Sequence, residues 1–281
     1  MKEYILKNIA VLFLVSGSFI ACEKEDEFPY FQCTMTTESD KVTLSFNTQG
    51  KYQTSYTIDW GDGQKETGKI DTWTAEKMTH FYAADQKTPY TITVDGGVTE
   101  LDCSGNQLTS LIISGPLLKL YCSDNLLTSL NLTKLQRLEF LNCENNPLHS
   151  IDIGKSTKLT NIDLRYNLLT SLDVSKNTKL TSIDLHSGLL TSLDVSKNTK
   201  LNALNISSNR LTSLDVSKNT RLGYLFVDNN QLDAESLNSL FRMLPNSDLN
   251  PQAHVLSISR NPGTATCDIT IARSKGWSIL D

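Results

Sequence analysis

The ten residues LTSLDVSKNT occur three times, at 169–178, 190–199 and 211–220, at a constant step of 21 residues. A chain that repeats itself at this interval is restricted to stacking one small structural unit upon the next. The phrase belongs to a longer pattern, L-x-x-L-x-L-x-x-N-x-L, whose first positions are Val98, Leu117, Leu138, Leu159, Leu180, Leu201 and Leu222. Within one unit, Leu159, Ile162, Leu164, Leu169, Leu172 and Val174 fall where side chains point inward. Burying six side chains does not offset the entropy of ordering a whole unit, so a lone unit cannot fold. Stacked units share strand hydrogen bonds and cover both faces of each apolar layer, which makes the array cooperative.

In period and spelling these units resemble the leucine-rich repeat, over about two-thirds of the chain, and they are similar to the internalin-like repeats of bacterial surface proteins. The resemblance implies a right-handed solenoid with parallel strands on its concave face. Repeats then span 98–254, and 255–281 form a last irregular repeat and a cap. Helical spacing of Leu237, Leu240, Phe241 and Leu244 predicts a helix in 234–245; 254–263 read as a strand and 267–277 as a second helix.

Position nine carries Asn106, Asn125, Asn146, Asn167, Asn209, Asn230 and Asn261. An amide both donates and accepts, so this column can satisfy backbone groups where the strand turns away. Gly188 interrupts it, predicting a local weak spot. Cys103, Cys122 and Cys143 share inward position six and are expected to stack as small hydrophobes, in poor geometry for a disulfide. The Asp, Lys and Asn columns of the repeated phrase are expected on the solvent side, with Lys176, Lys197 and Lys218 offsetting Asp173, Asp194 and Asp215.

Ahead of the repeats, 28–97 alternate apolar and polar residues in KVTLSFN (41–47), SYTIDW (55–60), MTHFY (78–82) and PYTITV (89–94), with GDG and DGG turns between. Such short, punctuated strands predict an antiparallel sandwich. The segments IDWGDG (58–63), THFY (79–82) and YTITV (90–94) resemble PKD-type domains. Trp60 then fills the core, and Asp62-Gly63 supplies a turn rather than a metal or sugar site with Asp59. The sandwich is expected to be a spacer or a cover for the first repeat. Overall the expected class is mainly β, a PKD/Ig-like sandwich followed by a leucine-rich-repeat solenoid whose C-terminal cap contains short helices.

Residues 1–21 have the layout of a secretory signal: Lys2 and Lys7, an apolar run from Ile9 to Val15, then small residues. The ending SFIAC resembles the lipobox of bacterial lipoproteins, which implies lipid attachment at Cys22. The acidic tether EKEDE (within 22–27) resembles export signals of Bacteroidetes-type surface lipoproteins. Together these imply an outer-membrane, surface-exposed location, with the membrane contacted only through the lipid.

A net charge of -5 argues against a nucleic-acid partner, which needs a basic face. No CxxC, P-loop, HExxH or GxSxG motif is present, so neither a metal, a cofactor nor catalysis is expected. The variable residues lie at positions three, five and seven, on the expected concave face. Tyr121 with Phe140, and Tyr224 with Phe226, read as two exposed aromatic pairs suited to anchoring a partner. Asn142, Asp163, Arg165, Asp184 and His186 form a polar cluster between them. Asp163, Asp184 and His186 also invite an acid–base reading, but an open sheet does not exclude water and Arg165 is placed to pair with either carboxylate. The expected activity is non-enzymatic recognition of a host or envelope protein; the alternative is glycan binding through the same aromatics, in support of glycan uptake.

Overall fold

The computed structural model describes residues 30–48, 54–70, 75–83, 89–247 and 254–280; Cys22 and the rest of 1–27 lie outside them. Six antiparallel strands come first: β1 (Phe31–Thr37), β2 (Lys41–Asn47), β3 (Thr54–Asp59), β4 (Lys65–Ile70), β5 (Glu76–Phe81) and β6 (Tyr90–Gly96). The period-two alternation of these segments puts every second side chain into one core. Trp60 is fully buried, Tyr82 donates its hydroxyl to Trp60 O at 2.8 Å, and His80 stacks on the indole at 4.7 Å. Asp62 accepts from Gln64 N–H at 3.0 Å and lies 2.8 Å from His80 Nε2; Gly63 has a φ of 91°. Asp62-Gly63 is therefore a turn, tied to the core through His80.

The repeats follow as single short strands: β7 (Glu100–Asp102), β9 (Lys119–Tyr121), β10 (Phe140–Asn142), β11 (Asn161–Asp163), β12 (Ser182–Asp184), β13 (Ala203–Asn205) and β14 (Tyr224–Phe226). Each pairs in parallel with the next, in register, so positions three, four and five form rows across the sheet. All six inward residues of the unit from Leu159 are buried, and so is their equivalent in every other full copy of LTSLDVSKNT. The array is a leucine-rich-repeat solenoid.

No break in hydrogen bonding separates the first segment from the repeats. β2 pairs antiparallel with β7, Phe46 opposite Leu101, so one eleven-stranded sheet runs from β5 to the far end. The longer β8 (Leu108–Ser114), still within the first unit, pairs antiparallel with β1 in the five-stranded sheet β4-β3-β6-β1-β8. Asn106 then treats β2 as if it were a preceding unit: its Oδ1 accepts from Thr43 N–H at 2.8 Å and its Nδ2 donates to Thr43 O at 2.7 Å. Hydrophobic side chains of the sandwich and the repeats consequently form one continuous core.

At the other end, α1 (Ala234–Met243) starts where Asp233 accepts from Ser236 N–H, and it buries Leu237, Leu240 and Phe241. β15 (Val255–Ser257) and β16 (Ser278–Leu280) add two more parallel strands, joined through the short α2 (Thr270–Ser274). Trp277 is buried there, its Nε1 donating to Pro245 O at 2.8 Å.

Two internal amide columns hold the stack. In the first, Asn125 Oδ1 accepts from Leu108 N–H and Asn125 Nδ2 donates to Cys103 O, both in the preceding unit. Asn209 repeats this with Leu190 N–H and Leu185 O, each at 2.9 Å. The second column corrects the expectation that the asparagine of SKNT faces water: Asn177, Asn198 and Asn219 are fully buried. Asn198 Nδ2 donates to Val174 O at 3.1 Å and Asn177 O at 2.9 Å, carbonyls of the preceding turn that also accept from Asn177 N–H and Leu180 N–H and so take a second donor here. Among the described residues their Oδ1 atoms find no partner. The aspartates Asp173, Asp194 and Asp215 each accept from the serine two residues on, through its hydroxyl and its backbone N–H, which holds their carboxyls below the ordinary range, and the nearby lysines add a lesser contribution.

Cys103, Cys122 and Cys143 are buried in line, with Cys122 and Cys143 Sγ 2.9 Å apart. Burial, reinforced by the neighbouring thiols, pushes Cys103 and Cys122 well above the ordinary thiol value, so they are inert apolar filling.

Candidate functional site

The concave face is laid out by the parallel register. Position five is Asp102, Asn142, Asp163, Asp184 and Asn205 in five units, and each side-chain oxygen accepts the backbone N–H two residues on, at 2.9 to 3.3 Å. These residues therefore end their strands by an Asx-type turn. Sequence reasoning missed this role; the recurring Asp/Asn two residues before a turn was the available signal.

Toward the sandwich, Lys119 Nζ meets Glu100 Oε1 at 2.7 Å. Next to them the rings of Tyr121 and Phe140 lie 4.9 Å apart and tilted by 35°. Both are half-buried. Burial raises the Tyr121 hydroxyl pKa, helped by Glu100 and Asp102.

A charge network follows across units three to five. Arg165 Nε lies 2.8 Å from Asp163 Oδ1 and 3.9 Å from Asp184 Oδ2, while its Nη2 reaches Glu144 Oε2 at 2.5 Å. Burial works against the charged guanidinium, but the Asp163 hydrogen bond and the surrounding carboxylates outweigh it and hold it charged. Burial raises both Glu144 and Asp163 above ordinary carboxylate values; Arg165 opposes this in each case, and the Asp184 charge adds to it at Asp163. Asp184 is itself buried, with its Oδ1 3.1 Å from His186 Nδ1 and its Oδ2 accepting from Asn205 Nδ2 at 3.3 Å. The edge of the His186 ring meets Tyr166 at 4.8 Å.

The structure brings Tyr121, Phe140, Asn142, Asp163, Arg165, Asp184 and His186 together on one face. It separates the second expected aromatic pair. Tyr224 is half-buried, but Phe226 is buried against Val255, with Tyr224 and Leu280 packed around them. Phe226 is thus a packing residue of the C-terminal strands and no exposed anchor. The physical reason is the cap: β15 sets Val255 opposite Tyr224 and diagonal to Phe226, and β16 brings Leu280 opposite Ser257 on the same patch. Beyond it, Asp228 accepts from Ser207 Oγ at 3.2 Å and Ser257 Oγ at 2.5 Å.

Every carboxylate in the network is engaged by Arg165, a backbone N–H or a neighbouring side chain. Among the described residues no group of three or more His, Cys, Asp or Glu is arranged to hold a metal ion, and no helix is long and apolar enough to cross a membrane. The arrangement is a firm mixed surface, in which a hydrogen-bonded polar network and the Tyr121–Phe140 ring pair stand on one parallel sheet.

No protein-family model matches this chain, and no curated protein matches it. Among solved structures it is similar to the functional domain of InlJ from Listeria monocytogenes, described as including a cysteine ladder, at 28% identity and a TM-score of 0.45, over 62% of this chain and 47% of that one. The leucine-rich repeat domain of APL1B matches at 22% identity and a TM-score of 0.41, over 52% and 50% of the two chains. The effector YopM from Yersinia pestis matches at 21% identity and 0.41, over 58% and 55%. The chain spans about half the length of these structures.

Proposed function

We propose that this chain is a non-enzymatic binding protein of the cell surface, lipid-anchored at Cys22 in the outer membrane, that recognises a protein partner through the concave face. The observation that carries the reading is the contrast between the two sides of the array. The interior and the repeated phrase are nearly invariant from unit to unit, while the row Glu100, Lys119, Phe140, Asn161, Ser182, Ala203, Tyr224 differs at every step. A scaffold held by amide columns gives those side chains fixed positions, which lowers the entropy lost on binding. Tyr121 and Phe140 supply an aromatic anchor, and the Arg165 network supplies charge specificity. The two rings are tilted rather than coplanar, which favours a protein over a flat sugar platform.

The test is capture of surface proteins from host cells and from bacterial envelope by the immobilised chain. Phe140→Ala should reduce capture at least tenfold without moving the melting temperature. Phe226→Ala should instead lower stability, by about 2–3 kcal/mol. Capture unchanged by Phe140→Ala, or hits confined to a glycan array, would overturn the reading. The anchor is tested separately: Cys22→Ala should abolish acyl labelling and membrane partition.

A further inference from the structure

Position eight of the repeat adopts a left-handed backbone in all eight units: Gly105, Asp124, Asn145, Tyr166, Ser187, Ser208, Asn229 and Arg260, with φ between 52° and 69°. Glycine, asparagine, aspartate and serine suit a turn of this kind, whereas a bulky ring at positive φ is strained. Tyr166 nevertheless occupies such a site and leaves 51% of its surface exposed. Its ring packs against the edge of His186 and leaves its other side to solvent.

Its surroundings are equally distinctive. Among the described residues, the large exposed hydrophobic side chains of the repeat array are Ile112 on β8 and, farther along, Leu126, Tyr166 and Leu168. Leu126 and Leu168 both occupy position ten, on the edge where the chain leaves the sheet. Pro147 and Leu189 fill the same position in units three and five and are partly exposed. An apolar ridge thus runs over four consecutive units, about 15 Å at the usual strand spacing. The flanking units end it with Gln107 and Arg210. Exposed apolar residues aligned in this way mark a contact surface.

Around the edge from the ridge, reached through the Tyr166–His186 contact, lies the stripe of Glu144, Asp163 and Asp184, with Arg165 the one guanidinium among them. Three carboxylates against one guanidinium leave this stripe under-compensated, in keeping with the raised Glu144 and Asp163. Apolar ridge and acidic stripe run side by side along units three to five.

We infer that the edge of units two to five docks a cationic, amphipathic segment of a protein partner, its apolar side on the ridge and its lysines or arginines on the acidic stripe. Complementarity of charge fixes which side faces the concave sheet, and Tyr166 is held in its strained turn to bridge the two halves. The inference rests on the protein-binding reading above and names the partner's chemistry.

A random-peptide display library panned on the full immobilised chain tests it. The enriched peptides should interleave Lys or Arg with aromatic or aliphatic residues, and should weaken at least tenfold when salt is raised from about 50 to 500 mM. Leu126→Ser combined with Leu168→Ser should weaken them by a similar factor at unchanged melting temperature. Tyr166→Asn should weaken them while raising the melting temperature, because asparagine tolerates the turn. Neutral or acidic enriched peptides, or no enrichment, would overturn the inference. So would cationic peptides that bind the double serine variant as tightly as the wild type. If those peptides were instead lost on Phe140→Ala, the concave-face reading would stand without the ridge.

Discussion

Replacing Gly188 by asparagine would show how much one amide of the internal column contributes. In the sixth unit Asn209 accepts from Leu190 N–H and donates to Leu185 O. The groups that a side chain at 188 would serve are Leu169 N–H and Leu164 O, and among the described residues Leu169 N–H has no acceptor. A buried N–H without a partner costs about 1–3 kcal/mol. Gly188 does not have a positive φ, so any side chain there also restricts the unfolded chain, adding about 0.4–1 kcal/mol. Against these gains, a Cβ at 188 would sit 2.8 Å from Asn209 Oδ1, so that amide must shift slightly. A net stabilisation of about 1–2 kcal/mol follows, which for a chain of this length is about 3–6 °C in melting temperature. Calorimetry on wild type, Gly188→Asn and Gly188→Ala separates the amide from the backbone effect, because alanine supplies only the latter. Amide exchange at Leu169 should slow in the asparagine variant alone. If asparagine proved no more stabilising than alanine, or left Leu169 exchange unchanged, the account of the column would be refuted.

Two further outcomes are expected. Asn198→Ala removes the donor serving Val174 O and Asn177 O and should cost about 2 kcal/mol in denaturant unfolding; Asp194→Ala, four residues earlier in the same copy and on the surface, should move the midpoint much less. Arg165→Met should lower stability by about 1–2 kcal/mol at pH 8, discounted for the partial exposure of the network. The pH dependence has a definite sign. Glu144 and Asp163 have folded values above their unfolded ones, so the cost of their charge is absent below the unfolded value and grows as pH rises through the folded one. Without Arg165 that cost increases, so the deficit should shrink toward pH 4; melting curves showing a pH-independent deficit would contradict it.

The solenoid was legible because its apolar spacing is periodic and each unit meets a near copy of itself. Leu159, Ile162 and Leu164 need no distant information to be placed inward. What escaped the sequence depends on neighbours that are not copies. Phe140 and Phe226 look alike in a list of concave positions, yet Phe226 is buried because an irregular segment returns Val255 and Leu280 beside it. Asn177 sits between Lys176 and Thr178 and reads as solvated; its placement depends on the preceding turn, whose Ile153 O accepts its Nδ2 as a second donor beside Ser156 N–H. The strands of the first segment were legible from their alternation, but their union with the repeats was not. β8 pairing with β1 joins residues far apart in the chain, and no local signal records such a partner.

The identical wording of the copies gives this molecule a way to change length. The seams between the copies present closely similar inward residues, so residues 180–200 can be excised and Lys179 joined to Leu201 with like meeting like. The excision would remove Gly188 and bring Asn209 onto the unit that contains Leu169, closing the amide column at its one gap. Lengthening works the same way, since a duplicated unit inherits two finished seams. Reach along a target can therefore be adjusted in whole units, with the sandwich at one end and the cap at the other left as they are.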